Sequence, residues 1–301
     1  MSLIHTRTFR VRHYECDAYG HVNNANYLHY MQEAAFDASA AAGYDLARYD
    51  AMGRLWLIHE TDVEYLQPLR YGDSVEVRTW VLDFRGVRSR RAYEFRDMES
   101  GSMVARAQTD WVFLDATTLR PAPIPRELRE AFSPEGVPIK AQPRERFPTP
   151  PEPPRGTFRM RRCVEWRDID PMKHVNNATY LSYMDECGME VSEAHGWPIQ
   201  RMGEAGFAIV ARRCRIEYRE PAIYGDELEL ATFVSELRHA SATRCYIITR
   251  AWSGSVLAQA RVLYVWVDVR TGKPIHIPAE FISDFAANLA PGALPPQSRL
   301  R

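Results

Sequence analysis

The sequence predicts an α+β fold made of two copies of one domain in tandem, each an antiparallel sheet wrapped around a single long helix. Three observations lead there. HVNNANYLHYMQEA, beginning at His21, recurs as HVNNATYLSYMDEC, beginning at His174. Each motif runs into an apolar stripe with helical spacing, and most of the remaining residues alternate apolar and polar with the period of a strand.

The offset between the copies is 153 residues. It carries Asp17 onto Asp170, Gly43 onto Gly196, Pro68 onto Pro221, Tyr71-Gly72-Asp73 onto Tyr224-Gly225-Asp226, Arg91 onto Arg244 and Phe132 onto Phe285 without a gap. A register held over that length is a duplication. The predicted boundaries are 1–132 for the first domain, 133–156 for a linker, 157–289 for the second domain and 290–301 for a tail. The linker follows from its eight prolines, Pro134 to Pro154, which oppose helix and ladder alike and favour an extended spacer. The tail is expected to be unstructured.

Within a copy, Thr8 to Tyr14 alternates as a strand. A loop with Asp17 and Gly20 follows, and a helix is expected to start near Asn24, since asparagine caps exposed amides well. Its buried stripe is Tyr27, Tyr30, Met31, Ala34 and Ala38, matched by Tyr180, Tyr183, Met184, Cys187 and Val191. Small residues in mid-stripe let the helix lie close to a sheet. Val75, Val77, Thr79 and Val81, then Ala105, Ala107, Thr109, Trp111 and Phe113, read as further strands, joined by turns at Tyr71-Gly72-Asp73 and Glu99-Ser100-Gly101. Two copies in one chain imitate a two-fold dimer, so an intramolecular pseudo-dimer is expected, with further homo-oligomerisation left open.

Composition narrows the function classes. A formal net charge of −1 with 26% charged residues gives no basic footprint for nucleic acid and none for an anionic membrane. The N-terminus lacks the regions of a signal peptide and no apolar run is long enough to span a bilayer, so a cytoplasmic location is expected. The five cysteines have no paired spacing, which predicts reduced thiols, and no metal or other cofactor is expected.

The segment DAYGHVNNANY, Asp17 to Tyr27, resembles the hotdog thioesterases of the 4-hydroxybenzoyl-CoA and acyl-CoA type. DPMKHVNNATY, Asp170 to Tyr180, is similar to the second half of the acyl-carrier-protein thioesterases, themselves tandem hotdogs. The resemblance covers both copies and implies hydrolysis of an acyl thioester carried on coenzyme A or acyl carrier protein. It implies that Asp17 or Asp170 is the base or nucleophile. Asn24 and Asn177 stand where many single-domain relatives carry a second histidine.

Each candidate residue has a plainer reading beside the chemical one. The catalytic candidates are Asp17, Asp170, His21 and His174, with the helix starts at Asn24 and Asn177 as oxyanion donors. An aspartate can instead close an Asx turn, and a histidine can orient the loop. The substrate-binding candidates are Gly20, Asn23, Asn176, Tyr27 and Tyr180, of which the asparagines also suit capping and the tyrosines core packing. Glu33 and Glu186 fit a salt-bridged face better than water activation. Arg88, Arg90 and Arg91, with Arg212, Arg213 and Arg215, are candidates for phosphate or for solvated strand faces. Gly20 takes a positive φ at little cost and Lys173 does not, so the two loops are expected to differ in shape. Two other readings share the fold: a hotdog dehydratase or hydratase, and a non-catalytic acyl-CoA-binding protein.

Overall fold

Asn23 and Asn176 begin the two long helices, and everything else in each copy is arranged around them. The computed structural model describes residues 3–133 and 143–294 and divides into two units, Met1–Arg146 and Phe147–Arg301. Pro134, Pro138 and residues 295–301 lie outside the described residues.

The first unit runs β1 (Ile4–Arg10), α1 (Asn24–Ala41), α2 (Leu46–Ala51), β2 (Arg54–Tyr65), β3 (Ser74–Arg85), β4 (Arg88–Asp97), β5 (Met103–Asp115) and α3 (Arg126–Ala131). Its strands pair antiparallel in the order β1-β3-β4-β5-β2. The second unit repeats this as β6 (Phe158–Cys163), α4 (Asn177–Ala194), α5 (Ile199–Glu204), β7 (Phe207–Tyr218), β8 (Glu227–Leu237), β9 (Ser241–Arg250), β10 (Val256–Asp268) and α6 (Ala279–Asp284). Its order is β6-β8-β9-β10-β7.

In α1 the side chains of Ala25, Tyr27, Leu28, Tyr30, Met31, Ala34, Ala35 and Ala38 are buried. The stripe is thus as the 3.6-residue period predicts. Tyr30 stacks on Phe9 of β1 at 4.6 Å between ring centroids, and Tyr27 meets Tyr65 of β2 and Phe95 of β4 at 5.2 and 5.4 Å. Contacts at both ends of the strand order require the sheet to curve around the helix. Register shifts supply curvature: one lies between Val81 and Asp83 in β3, and its counterpart lies 153 residues on, between Val234 and Glu236 in β8. Burial of each large apolar side chain in this layer contributes about 1.5–3 kcal/mol.

Several expectations need revision. The short helices α2, α3, α5 and α6, each of six residues, were not visible as a periodic stripe. The tail is not unstructured over its first residues. Leu289 bridges Val234 in parallel, Ala290 donates from its backbone to Val234 at 2.8 Å, and Ala293 accepts from Leu237 at 2.8 Å. Ala290 and Ala293 bury their side chains against Phe233 and Cys245, which is why the chain stays docked beyond the predicted boundary. The described part of the linker has no helix or strand before β6. No helix among the described residues is long and apolar enough to cross a membrane.

Candidate functional site

After β1 the chain makes a tight turn at His13–Glu15, then a closed loop, Asp17 to His21, that delivers it to the start of α1. The loop closes on itself. The Asp17 backbone N–H donates to the His21 carbonyl at 2.7 Å, and the Gly20 N–H donates to the Asp17 carbonyl at 2.9 Å. The Asp17 side chain fixes the same loop from inside, because Oδ1 accepts from the backbone of Tyr19 at 2.9 Å and of His21 at 3.1 Å. This is an Asx turn. Among the described residues Oδ2 accepts no hydrogen bond, so one carboxylate oxygen is held and the other is available.

The second copy builds the same loop. Asp170 N–H donates to the His174 carbonyl at 2.9 Å, Lys173 N–H to the Asp170 carbonyl at 2.9 Å, and Asp170 Oδ1 accepts from Met172 at 2.9 Å. The expected difference in loop shape is therefore absent. Lys173 adopts φ 64° where Gly20 has φ 74°. The closing hydrogen bonds hold it there, although a left-handed non-glycine residue costs about 1–2 kcal/mol. Burial raises the pKa of Asp170 above the ordinary carboxylate range, opposed by hydrogen bonds from the Met172 backbone and the Asn176 side chain and by the charge of His174.

The first loop is braced by the segment between β2 and β3. His21 bridges Arg70, Val22 N–H donates to Leu69 at 2.8 Å, and Asp73 accepts from the Arg70 backbone at 2.7 Å. Burial, followed by the charge of Arg70, lowers the pKa of His21, with Asp17 opposing. Burial and Arg70 both favour the neutral imidazole.

The helix starts at Asn24 as expected, one residue earlier than an Asn24 cap would place it. Asn23 is the N-cap, its Oδ1 accepting from Ala25 N–H at 2.9 Å, and Asn176 does the same for Ala178 at 2.9 Å. Asn23 N–H donates to the Glu15 carbonyl and Asn26 N–H to the Asn23 carbonyl, both at 2.9 Å. Asn24 N–H is left, with no backbone acceptor among the described residues, and Asn177 N–H is its equivalent. A free amide at the positive end of an eighteen-residue helix is suited to a developing negative charge.

The other candidates are placed less suggestively. Tyr27 and Tyr180 are buried. The Tyr180 hydroxyl accepts from Ala222 N–H at 3.1 Å, and burial pushes its pKa up to about 12. Both rings pack the helix rather than reach outward. Glu33 pairs with Arg7 at 3.3 Å, and Glu186 pairs with Arg162, so both face ion-pair partners. Arg88 and Arg90 are partly exposed but do not stand free for phosphate. Arg88 holds Asp110 at 2.7 Å and Arg90 holds the fully buried Asp83 at 2.6 Å, while Arg144 from the linker bridges both acids at 3.1 and 2.7 Å. Arg91 is buried and donates to Thr79 Oγ1 at 3.3 Å. Arg215 lies 5.4 Å from the centre of the Phe147 ring. All five cysteines are free thiols, and burial pushes Cys187 up to about 12, which removes it as a thiolate nucleophile. Among the described residues no group of three His, Cys, Asp or Glu side chains is placed to hold a metal ion.

One pair of residues escaped the sequence reading. Glu15 and Asp168, 5% and 6% exposed, are buried carboxylates directly before each loop. The available signal was the 153-residue offset, which aligns an acid with an acid there and Tyr30 with Tyr183.

Residues 11–132 and 164–287 both match one family description, the thioesterase-like superfamily. The chain belongs to that superfamily. Among similar proteins, the chloroplastic acyl-[acyl-carrier-protein] hydrolase FATB2 of Cuphea viscosissima is 26% identical over 196 residues, covering 61% of this chain and 47% of its own length. The long-chain acyl-CoA thioesterase FadM of Escherichia coli is 31% identical over 115 residues, covering 37% of this chain and 84% of its own. The chain spans about half the length of the plant relatives it matches. The structure of a 12:0-ACP thioesterase from Umbellularia californica superposes with a TM-score of 0.66 at 21% identity, covering 87% of this chain and 93% of that one. The superfamily chain described here accordingly has the tandem hotdog fold, each hotdog a sheet curved around its long helix.

Proposed function

We propose that this superfamily member hydrolyses an acyl thioester, carried on coenzyme A or acyl carrier protein, to a free acid and a thiol. The observation that carries the reading is the pairing, in the first copy, of a loop aspartate whose side-chain hydrogen bonds among the described residues all fall on one oxygen with a helix start that has one unsatisfied amide, a loop and cap that the second copy repeats. The names of the plant and bacterial relatives support thioester chemistry and leave the carrier open.

In the reaction, Asp17 Oδ2 takes a proton from water as the water oxygen attacks the thioester carbonyl. The carbonyl oxygen becomes an oxyanion and accepts from Asn24 N–H. Collapse re-forms the carbonyl and breaks the C–S bond, and the leaving thiolate takes the proton held by the aspartate. One oriented donor of this kind is worth about a hundredfold or more in rate. A neutral His21, tied to Asp17 through the loop backbone, keeps the carboxylate aimed and adds no competing positive charge. Asp170 and Asn177 repeat the arrangement. In the alternative route the carboxylate attacks directly, and water then opens an acyl-aspartyl anhydride.

A single-turnover reaction in heavy-oxygen water separates the routes. Direct attack leaves the enzyme carboxylates unlabelled, whereas an anhydride opened at its aspartyl carbonyl leaves label in Asp17 or Asp170 and gives an unlabelled product acid. Saturable binding of acyl-CoA and acyl carrier protein without thiol release would reject hydrolysis in favour of a binding protein.

A further inference from the structure

Glu15 and Asp168 are too deeply buried and too regularly placed to be incidental loop acids. A carboxylate removed from water is costly unless its oxygens are satisfied. Here they are. Glu15 Oε2 accepts from Arg12 N–H at 2.7 Å and from the Tyr30 hydroxyl at 2.7 Å, and Oε1 faces Arg12 Nη1 at 3.3 Å. Asp168 Oδ2 accepts from Glu165 N–H at 2.8 Å and from the Tyr183 hydroxyl at 2.7 Å. The side chains differ by a methylene, yet both reach the same two donors.

The backbone of the same residue does a second job. The Glu15 carbonyl accepts from Asn23 N–H at 2.9 Å and from Asn26 Nδ2 at 2.8 Å, and the Asp168 carbonyl accepts from Asn176 N–H at 2.9 Å. Tyr30 lies nearly two turns along α1 from Asn24 and stacks on Phe9 of β1. A single residue is thus tied by its side chain to the body of the helix and by its carbonyl to the cap at the helix start. The closed aspartate loop lies between those two attachments.

We infer that Glu15 and Asp168, each with its tyrosine, are positioning residues that hold the loop aspartate and the free first-turn amide at their working separation. This inference rests on the thioesterase reading for its consequence in rate, but its mechanical part does not. Both acids are buried away from solvent. Their effect is on orientation, to which rates are sensitive because small misplacements of reacting groups are expensive.

The clean variant is Tyr30→Phe, which removes one donor and keeps the ring stacked on Phe9. It is measured with Asp170→Asn as background, so that the first copy alone reports, beside Glu15→Gln and Glu15→Asp. Tyr183→Phe and Asp168→Asn in an Asp17→Asn background read the second copy. In the copy that turns over, the tyrosine variant is expected to lower kcat about tenfold with KM within about twofold. Glu15→Asp, the acid used by the other copy, is expected to retain more activity than Glu15→Gln. Amide exchange is measured on the same proteins, where Asn23 and Ala25, whose N–H groups are held by the Glu15 carbonyl and the Asn23 side chain, should exchange faster while the core strands stay protected. Unchanged kcat together with unchanged exchange at these amides would overturn the inference. Accelerated exchange in a protein whose wild type releases no thiol would support the positioning role and reject the thioesterase reading.

Discussion

Lys173 shows most directly how the loop overrides local preference. Its φ of 64° copies that of Gly20 because the ring of hydrogen bonds between Asp170 and His174 leaves no other shape. Replacing Lys173 with glycine is predicted to raise stability by about 1 kcal/mol, read as a shift in denaturant midpoint at unchanged slope. A lowered midpoint would contradict the strain. Asp170 carries a second prediction. Burial raises its folded-state pKa above its unfolded value, so the ionised form is disfavoured in the folded protein. The penalty is absent below the unfolded pKa, appears as pH rises from there through the folded one, and is complete above it. Asp170→Asn should therefore raise Tm at neutral pH and lose that advantage in acid, and equal Tm differences at both pH values would contradict it. The aspartate loop was legible because its chemistry sits in a repeated motif. Glu15 was not, because burial of a polar side chain is decided by partners distant in sequence, here Tyr30.

At the scale of elements, caps and ion pairs decide where each segment stops. Asn23 and Asn176 each satisfy one first-turn amide, and changing either to alanine is predicted to cost about 1 kcal/mol in equilibrium unfolding. A neutral result would mean that Asn24 or Asn177 takes over the cap. The linker has a comparable anchor. Arg144 bridges Asp83 and Asp110 where β3, β4 and β5 lie side by side, with Asp83 wholly buried. Arg144→Ala strands that acid without one of its two cations and is predicted to destabilise the first unit by about 3 kcal/mol or more. A change below about 1 kcal/mol would show the pair to be solvated as surface pairs are. The long helices and the strands were readable from their periods of 3.6 and 2. The six-residue helices were not, since six residues complete less than two turns and show no stripe. The docked tail was missed because alanines and a proline carry no pattern, and only Phe233 and Cys245 give them a surface to cover.

For the whole molecule, duplication kept the candidate site and let the supporting structure diverge. Both copies retain the aspartate loop, the asparagine cap, the free amide and the buried acid with its tyrosine. The Arg144 network belongs to the first copy alone, since Asp83, Arg90 and Asp110 correspond to Glu236, Thr243 and Leu263 in the second. That divergence is compatible with two working sites or with one, and the superfamily match over both segments covers either case. The most direct measurement is thiol release from a panel of short, long and aromatic acyl-CoAs and acyl carrier proteins, using the wild type, each single Asp17→Ala and Asp170→Ala variant, and the double variant. The account predicts turnover by the wild type, a loss in at least one single variant, and none above background in the double. Turnover that survives in the double variant would contradict it.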